Sequence, residues 1–98
     1  MPDWLTRTEI LLDDEKLKRL RNANVLVVGL GGVGAYAAEM ICRAGVGSMT
    51  IVDGDHIHPS NRNRQLPALM STEGLAKAEV MGQRIMDINP DIKLTVIQ

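Results

Sequence analysis

The chain has a single cysteine, and its formal net charge is only −1. One thiol closes no internal disulfide, and the chain fits a reducing compartment. A near-neutral balance gives no basic field that would by itself hold a polyanion such as tRNA. No apolar run approaches the roughly 18–20 residues that span a bilayer. The opening "MPDWLTRTE" is polar and acidic where a secretory leader would need an apolar core. Internal repeats, linkers and low-complexity stretches are also missing. A soluble cytoplasmic protein with no membrane partner is the expectation. What is present, 45% apolar and 23% charged residues in a 98-residue chain, is enough for one small core or a piece of a larger one, and argues against disorder.

Hydrophobic periodicity predicts the elements. Trp4, Leu5, Thr8, Leu11 and Leu12 share a helical stripe with Arg7 off it, and Trp4, Leu11 and Leu12 are expected to dock this arm on its own domain or on a partner copy. A second short helix runs through "DEKLKRLRN", with Asp13 or Asp14 as cap and Leu17 and Leu20 facing inward. "NVLVVG" is valine-rich and continuous, the pattern of a strand buried on both faces of a parallel sheet. Helix 33–44 is expected to bury Val33, Ala37, Met40, Ile41 and Ala44, and to leave Glu39 and Arg43 as a solvated pair. "SMTIVD" is the next strand. After a loop over 54–70, a helix over 72–88 buries Leu75, Ala78, Met81, Ile85 and Ile88. Asn89-Pro90 stops it, and "IKLTVIQ" is a third strand. The β-α-β-α-β order behind a helical arm predicts an α/β fold, a Rossmann-like doubly wound parallel sheet, with the arm at 1–22 and the core at 23–98. Three strands are few for such a sheet, so a fragment, or a core completed by another copy, is expected.

Gly29, Gly31 and Gly34 fit G-x-G-x-x-G between a strand and a helix. The first allows a tight turn, the second lets a phosphate approach the backbone, and the third lets the helix pack closely on the sheet. The helix N-terminus adds free N–H groups and the positive end of a dipole. Asp53 ends the second strand about twenty residues on, where an acidic side chain takes a ribose hydroxyl. Which nucleotide binds is not specified by this motif.

The cluster "SNRNRQ" at 60–65 adds something a nicotinamide site has no standing need for. Attack by a carboxylate on the α-phosphate of ATP builds negative charge on phosphate oxygens, and pyrophosphate must leave. Arginine and lysine around the triphosphate stabilise that charge. Arg64 on the loop and Lys77, one turn into the next helix, can converge above the carboxyl edge of the sheet. Asn61 can hold the loop or a phosphate oxygen.

Taken together, "GLGGVG", "IVDGD", "SNRNRQ", "GLAKAEVM" and "INP" resemble the ThiF/MoeB/HesA family of ubiquitin-activating-enzyme-like adenylyltransferases, from about residue 25 onward. The resemblance implies that the loop of Gly29, Gly31, Gly32 and Gly34 lies against ATP and that Asp53 binds ribose. It further implies that Asn61, Arg64 and Lys77 contact phosphates, with Arg64 and Lys77 serving catalysis. It suggests that Arg7 of the arm reaches the ATP site of a partner in a homodimer. Arg62 stands where relatives often have an apolar residue and receives no role. The segment 66–90 is most similar to the tRNA threonylcarbamoyladenosine dehydratase branch, in which an adenylated carboxylate on tRNA is closed into a ring. The alternative substrate is the C-terminal glycine of a small ubiquitin-like sulfur carrier. The family's magnesium-binding aspartate is expected beyond residue 98, so these residues are expected to bind ATP weakly without turning it over.

Blander readings apply elsewhere. Cys42, on a helix face with Ala35 and Ala38, reads as a buried small residue rather than a nucleophile. His56 and His58 are not a metal-ligand set, and no metal ligand is assigned. Asp55 orients Arg64 or a water, or caps the turn. The basic residues of 16–21 read as a wet helix face. A nicotinamide-dependent oxidoreductase would account for the glycines and Asp53 but leave Arg64 and Lys77 idle, and a non-catalytic nucleotide module remains a third class.

Overall fold

The computed structural model describes residues 2–98; Met1 of the expected arm lies outside the described residues. A 3-10 turn at Asp3–Leu5 leads into α1 (Thr6–Asn22), followed by β1 (Asn24–Val28), α2 (Gly34–Arg43), β2 (Ser48–Val52), α3 (Lys77–Ile88) and β3 (Lys93–Ile97). The strands form one parallel sheet in the order β1-β2-β3. This is the expected α/β architecture with a helical arm.

α1 is the two expected helical pieces joined at Asp13, whose backbone turns to φ 66°, ψ 172°. Asp13 serves as the cap of the second piece, its Oδ1 accepting from Lys16 N–H at 3.1 Å. Leu5 and Leu17 are the buried anchors of the arm, and Leu5 lies against Gly45 just past the end of α2. Trp4 and Leu11 are exposed, so within the chain the arm docks through Leu5 and Leu17 rather than through them.

Met49 and Ile51 on β2 point into the core and are covered by Ala35, Ala38 and Cys42 of α2 and by Ala78, Met81 and Ile85 of α3. Fully burying each of the larger side chains contributes about 1.5–3 kcal/mol. On α3 the expected buried face holds for Ala78, Met81 and Ile85, with Ile88 packing at its margin. Leu75 is exposed, because the chain turns at Gly74 (φ 83°) and the helix starts only at Lys77.

Two expectations about packing are corrected. β1 is buried on one face only: Val25 and Val27 pack against the core, whereas Leu26 and Val28 are 62% and 71% exposed. A right-handed crossover at each step carries α2 and α3 to the same side of the sheet, so among the described residues no helix covers the other. The buried face of α2 is also not the expected one. Ala35, Ala38, Glu39 and Cys42 are inside, Val33 and Met40 are exposed, and only Ile41 of the expected set packs against the core. Gly34 sets this orientation: a methyl there would overlap the Gly29 carbonyl oxygen. The helix therefore lies too close to the sheet for large side chains, and small ones take the inner face.

No helix among the described residues is long and apolar enough to cross a membrane.

Candidate functional site

The site is built where β1 and β2 end. Gly29 extends the ladder by donating its N–H to Val52 O at 2.7 Å, then turns the chain with φ 88°, a conformation that glycine adopts without strain. Gly34 brings α2 in close behind it. Between them, the main-chain N–H groups of Gly31, Gly32, Val33 and Gly34 take no part in the hydrogen bonds of turns, loops and caps. These are free donors at a positive helix end, the requirement for an anion.

Asp53 ties this turn to the next loop. Its Oδ2 accepts from Leu30 N–H and its Oδ1 from Asp55 N–H, both at 2.7 Å. Each oxygen keeps a second lone pair for a ligand hydroxyl. Asp55 then passes the connection on, its carbonyl accepting from Lys77 N–H at 3.0 Å. Lys77 is thereby fixed as the first residue of α3, three hydrogen bonds from the glycine turn. Of the alternatives read for Asp55, a role beside Arg64 finds no support, since the Arg64 guanidinium donates to Asn63 Oδ1 at 2.8 Å and to Ser60 O at 3.3 Å.

Lys77 is only 6% exposed. The ion pairs among the described residues are Arg19–Glu15, Arg43–Glu39 and Arg84–Glu39, and none includes Lys77. Its ammonium also makes no side-chain hydrogen bond there. The stem of the side chain is buried, and the ammonium at its end is not enclosed. A cation at the N-terminal end of a helix opposes the dipole, and an anion bound there would offset that cost.

The polar cluster forms a 3-10 turn, Pro59–Asn63, closed by a reciprocal cap. Asn61 Oδ1 accepts from His58 N–H at 2.9 Å, and the Asn61 carbonyl accepts from Arg64 and Gln65 N–H groups. Asn61 thus holds the loop and leaves its amide donor without a protein partner. Gln65 places its amide beside Gly31, while the guanidinium of the preceding Arg64 turns back onto its own loop. The structure thus links the glycine turn, Asp53, Asp55 and the backbone of Lys77 at one end of the sheet. Arg7 is elsewhere within its own chain. It is exposed, two residues from Leu5, which packs past the far end of α2, a helix about 15 Å long.

Among the described residues no three His, Cys, Asp or Glu side chains cluster as metal ligands. Cys42 is buried with its Sγ 3.6 Å from Ile85 O, and burial pushes its thiol up, away from the reactive thiolate.

Sequence reasoning missed two residues. Glu39 was expected on a solvated face. It is 7% exposed and bonds Arg84 of α3 as well as Arg43. The Arg84 hydrogen bond holds its carboxyl below the usual range against the opposing effect of burial, aided by the charges of Arg84 and Arg43. Gln65 was read only as the last letter of a polar loop. It is buried, and nothing in its sequence spacing signals that.

Comparison with known proteins matches residues 5–98 to a family model described as the ThiF family. The chain is 46% identical over 90 residues to tRNA threonylcarbamoyladenosine dehydratase of Escherichia coli (strain K12), covering 92% of this chain and 34% of that protein. It is 43% identical over 95 residues to the sulfur carrier protein ThiS adenylyltransferase of the same organism, covering 92% of this chain and 37% of that one. A solved structure of the E. coli dehydratase TcdA in complex with ATP superposes with a TM-score of 0.89 and 43% identity, over 94% of this chain and 37% of that chain. The chain thus spans about a third of the length of these relatives.

Proposed function

Because the chain belongs to the ThiF family, we propose that it forms the ATP-binding part of an enzyme that adenylylates a carboxylate, in the branch that dehydrates threonylcarbamoyladenosine in tRNA. Residues 1–98 are the first part of the adenylylation domain in this reading, with an arm at 1–22 and a core at 23–98. They bind ATP weakly and do not turn it over alone.

ATP is the substrate. A carboxylate oxygen of the tRNA-borne group attacks the α-phosphorus, and the bond from that phosphorus to the bridging oxygen breaks. Pyrophosphate leaves with the electron pair. The mixed anhydride then carries AMP as a leaving group, which an internal nucleophile displaces as the ring closes. The free N–H groups of the glycine turn receive phosphate, and Asp53 receives ribose. The Asn61 amide, the Arg64 guanidinium and the Lys77 ammonium meet the charge that grows on the phosphate oxygens. Arg7 acts across a homodimer, reaching the partner copy's site. We place the enzyme in the cytoplasm, with no membrane partner. Magnesium accompanies ATP in this reading, and the roles assigned here are those of side chains alone.

The observation that carries this reading is Lys77, a cation with no counter-ion among the described residues, placed at a helix start and hydrogen-bonded through its backbone to the loop that closes the glycine turn. The high identity to a ThiS adenylyltransferase favours a second reading with the same first step, in which the carboxylate is the C-terminal glycine of a sulfur carrier. Titration of the full chain with ATP and NAD tests the class. ATP is expected to bind more tightly, and a preference for NAD would overturn adenylylation. ATP–pyrophosphate exchange, triggered by tRNA or by a carrier protein, separates the two substrates.

A further inference from the structure

Gln65 is the buried side chain that the proposed roles leave unused. It is 9% exposed, and its Oε1 is fully enclosed with no hydrogen-bond partner. Its Nε2 also lacks a partner but is not enclosed. It sits 3.5 Å from where a Cβ on Gly31 would be, against the middle of the glycine turn. The placement is firmly held. Gln65 N–H donates to Asn61 O at 2.9 Å, and Gln65 O accepts from Ala68 N–H at 3.1 Å. Pro67 and Ala68 beside it are buried, and Leu66 packs against the core.

Burying an amide without hydrogen bonds destabilises a fold, and an apolar side chain of the same length would fill the space without that cost. The enclosed Oε1 is out of a ligand's reach, and the open Nε2, a donor without a protein partner, is the end free to act. The open end of the carboxamide is a donor beside Gly31, next to the turn whose main-chain N–H groups are free.

We propose that Gln65 is a further binding residue of the glycine turn, its Nε2 donating to the anionic group seated there. The inference rests on the nucleotide reading only for the identity of that group. Gln65 adds a neutral donor beside Gly31, complementing the charge of Lys77. It favours phosphate at the turn and is indifferent to the base and the sugar.

The test compares the full wild-type chain with Gln65→Met and Gln65→Glu. Gln65→Met keeps the length and removes the amide, so the unliganded protein is expected to melt at the same temperature or a few degrees higher. Its affinity for ATP and for inorganic tripolyphosphate is expected to fall about tenfold, one hydrogen bond to a charged group, while binding of adenosine is unchanged. Gln65→Glu places an acceptor by the anion and is expected to lose more. Equal ATP and tripolyphosphate affinities in wild type and Gln65→Met would overturn the proposal, as would a lower melting temperature with ATP and adenosine weakened alike. If NAD binds more tightly than ATP but the dependence on Gln65 persists, adenylylation fails and this inference stands.

Discussion

The two helices α2 and α3 carry polar groups in two places, and the contrast between them is instructive. Along their shared flank, Glu39 is buried between Arg84 and Arg43, and every charge has a partner. At their N-terminal ends, a few turns away, the N–H groups of the glycine turn, the Gln65 amide and the Lys77 ammonium have none. On the buried flank a carboxylate must be paired. At the turn Gly32 and Val33 are exposed, so its free N–H groups are open to water or to a ligand. The paired flank serves the fold, and the open end is where the proposed function places ATP. Pairing, more than burial or charge, separates scaffold from site in this molecule.

The largest effect that can probe this contrast is at Gly34. Its Cα lies against the Gly29 carbonyl, so Gly34→Ala drives a methyl into rigid main chain. The expected cost is about 3 kcal/mol, with loss of nucleotide binding, read from denaturant midpoints and ligand titration. A variant as stable as wild type would mean that α2 can lift off the sheet without penalty.

Glu39 gives the next largest effect and confines it to stability. Glu39→Gln keeps one hydrogen bond but removes the charge between two half-exposed arginines, for an expected loss of about 1–2 kcal/mol. ATP affinity is expected to change little. The pH dependence has a definite sign. The folded carboxyl is held below its ordinary value of 4.5, so its stabilisation is present above that value and lost as pH falls through the lower folded one. Between about pH 6 and pH 3, the wild type should therefore lose more melting temperature than Glu39→Gln. Parallel decline in the two proteins would remove the seam from the scaffold side of the comparison.

Much of this molecule was legible in its sequence. The order of strands and helices followed from period and from glycine and proline punctuation, and the glycine turn from its spacing between a strand and a helix. The cap at Asp13 was also readable. The buried face of α2 was not, because that helix is apolar nearly all round. Orientation was then decided by how closely Gly34 lets it approach β1, and small residues won the inner face. Both faces of β1 read as buried because valine and leucine alternate without a polar residue, yet the crossovers place both helices on one side. Arg84 stands 45 residues from Glu39, a separation at which no sequence pattern reveals an ion pair. Gln65 is polar and in a loop, and such residues are normally solvated. Only the approach of Gly31 shows that it is not.

In the proposed function the unpaired ammonium of Lys77 stabilises phosphate charge during adenylylation. The most direct test is ATP–pyrophosphate exchange by the full protein carrying Lys77→Ala, with ATP affinity measured alongside. The account predicts a fall of roughly 10²–10³-fold in exchange, with a much smaller change in ATP binding. Exchange at the wild-type rate would contradict it.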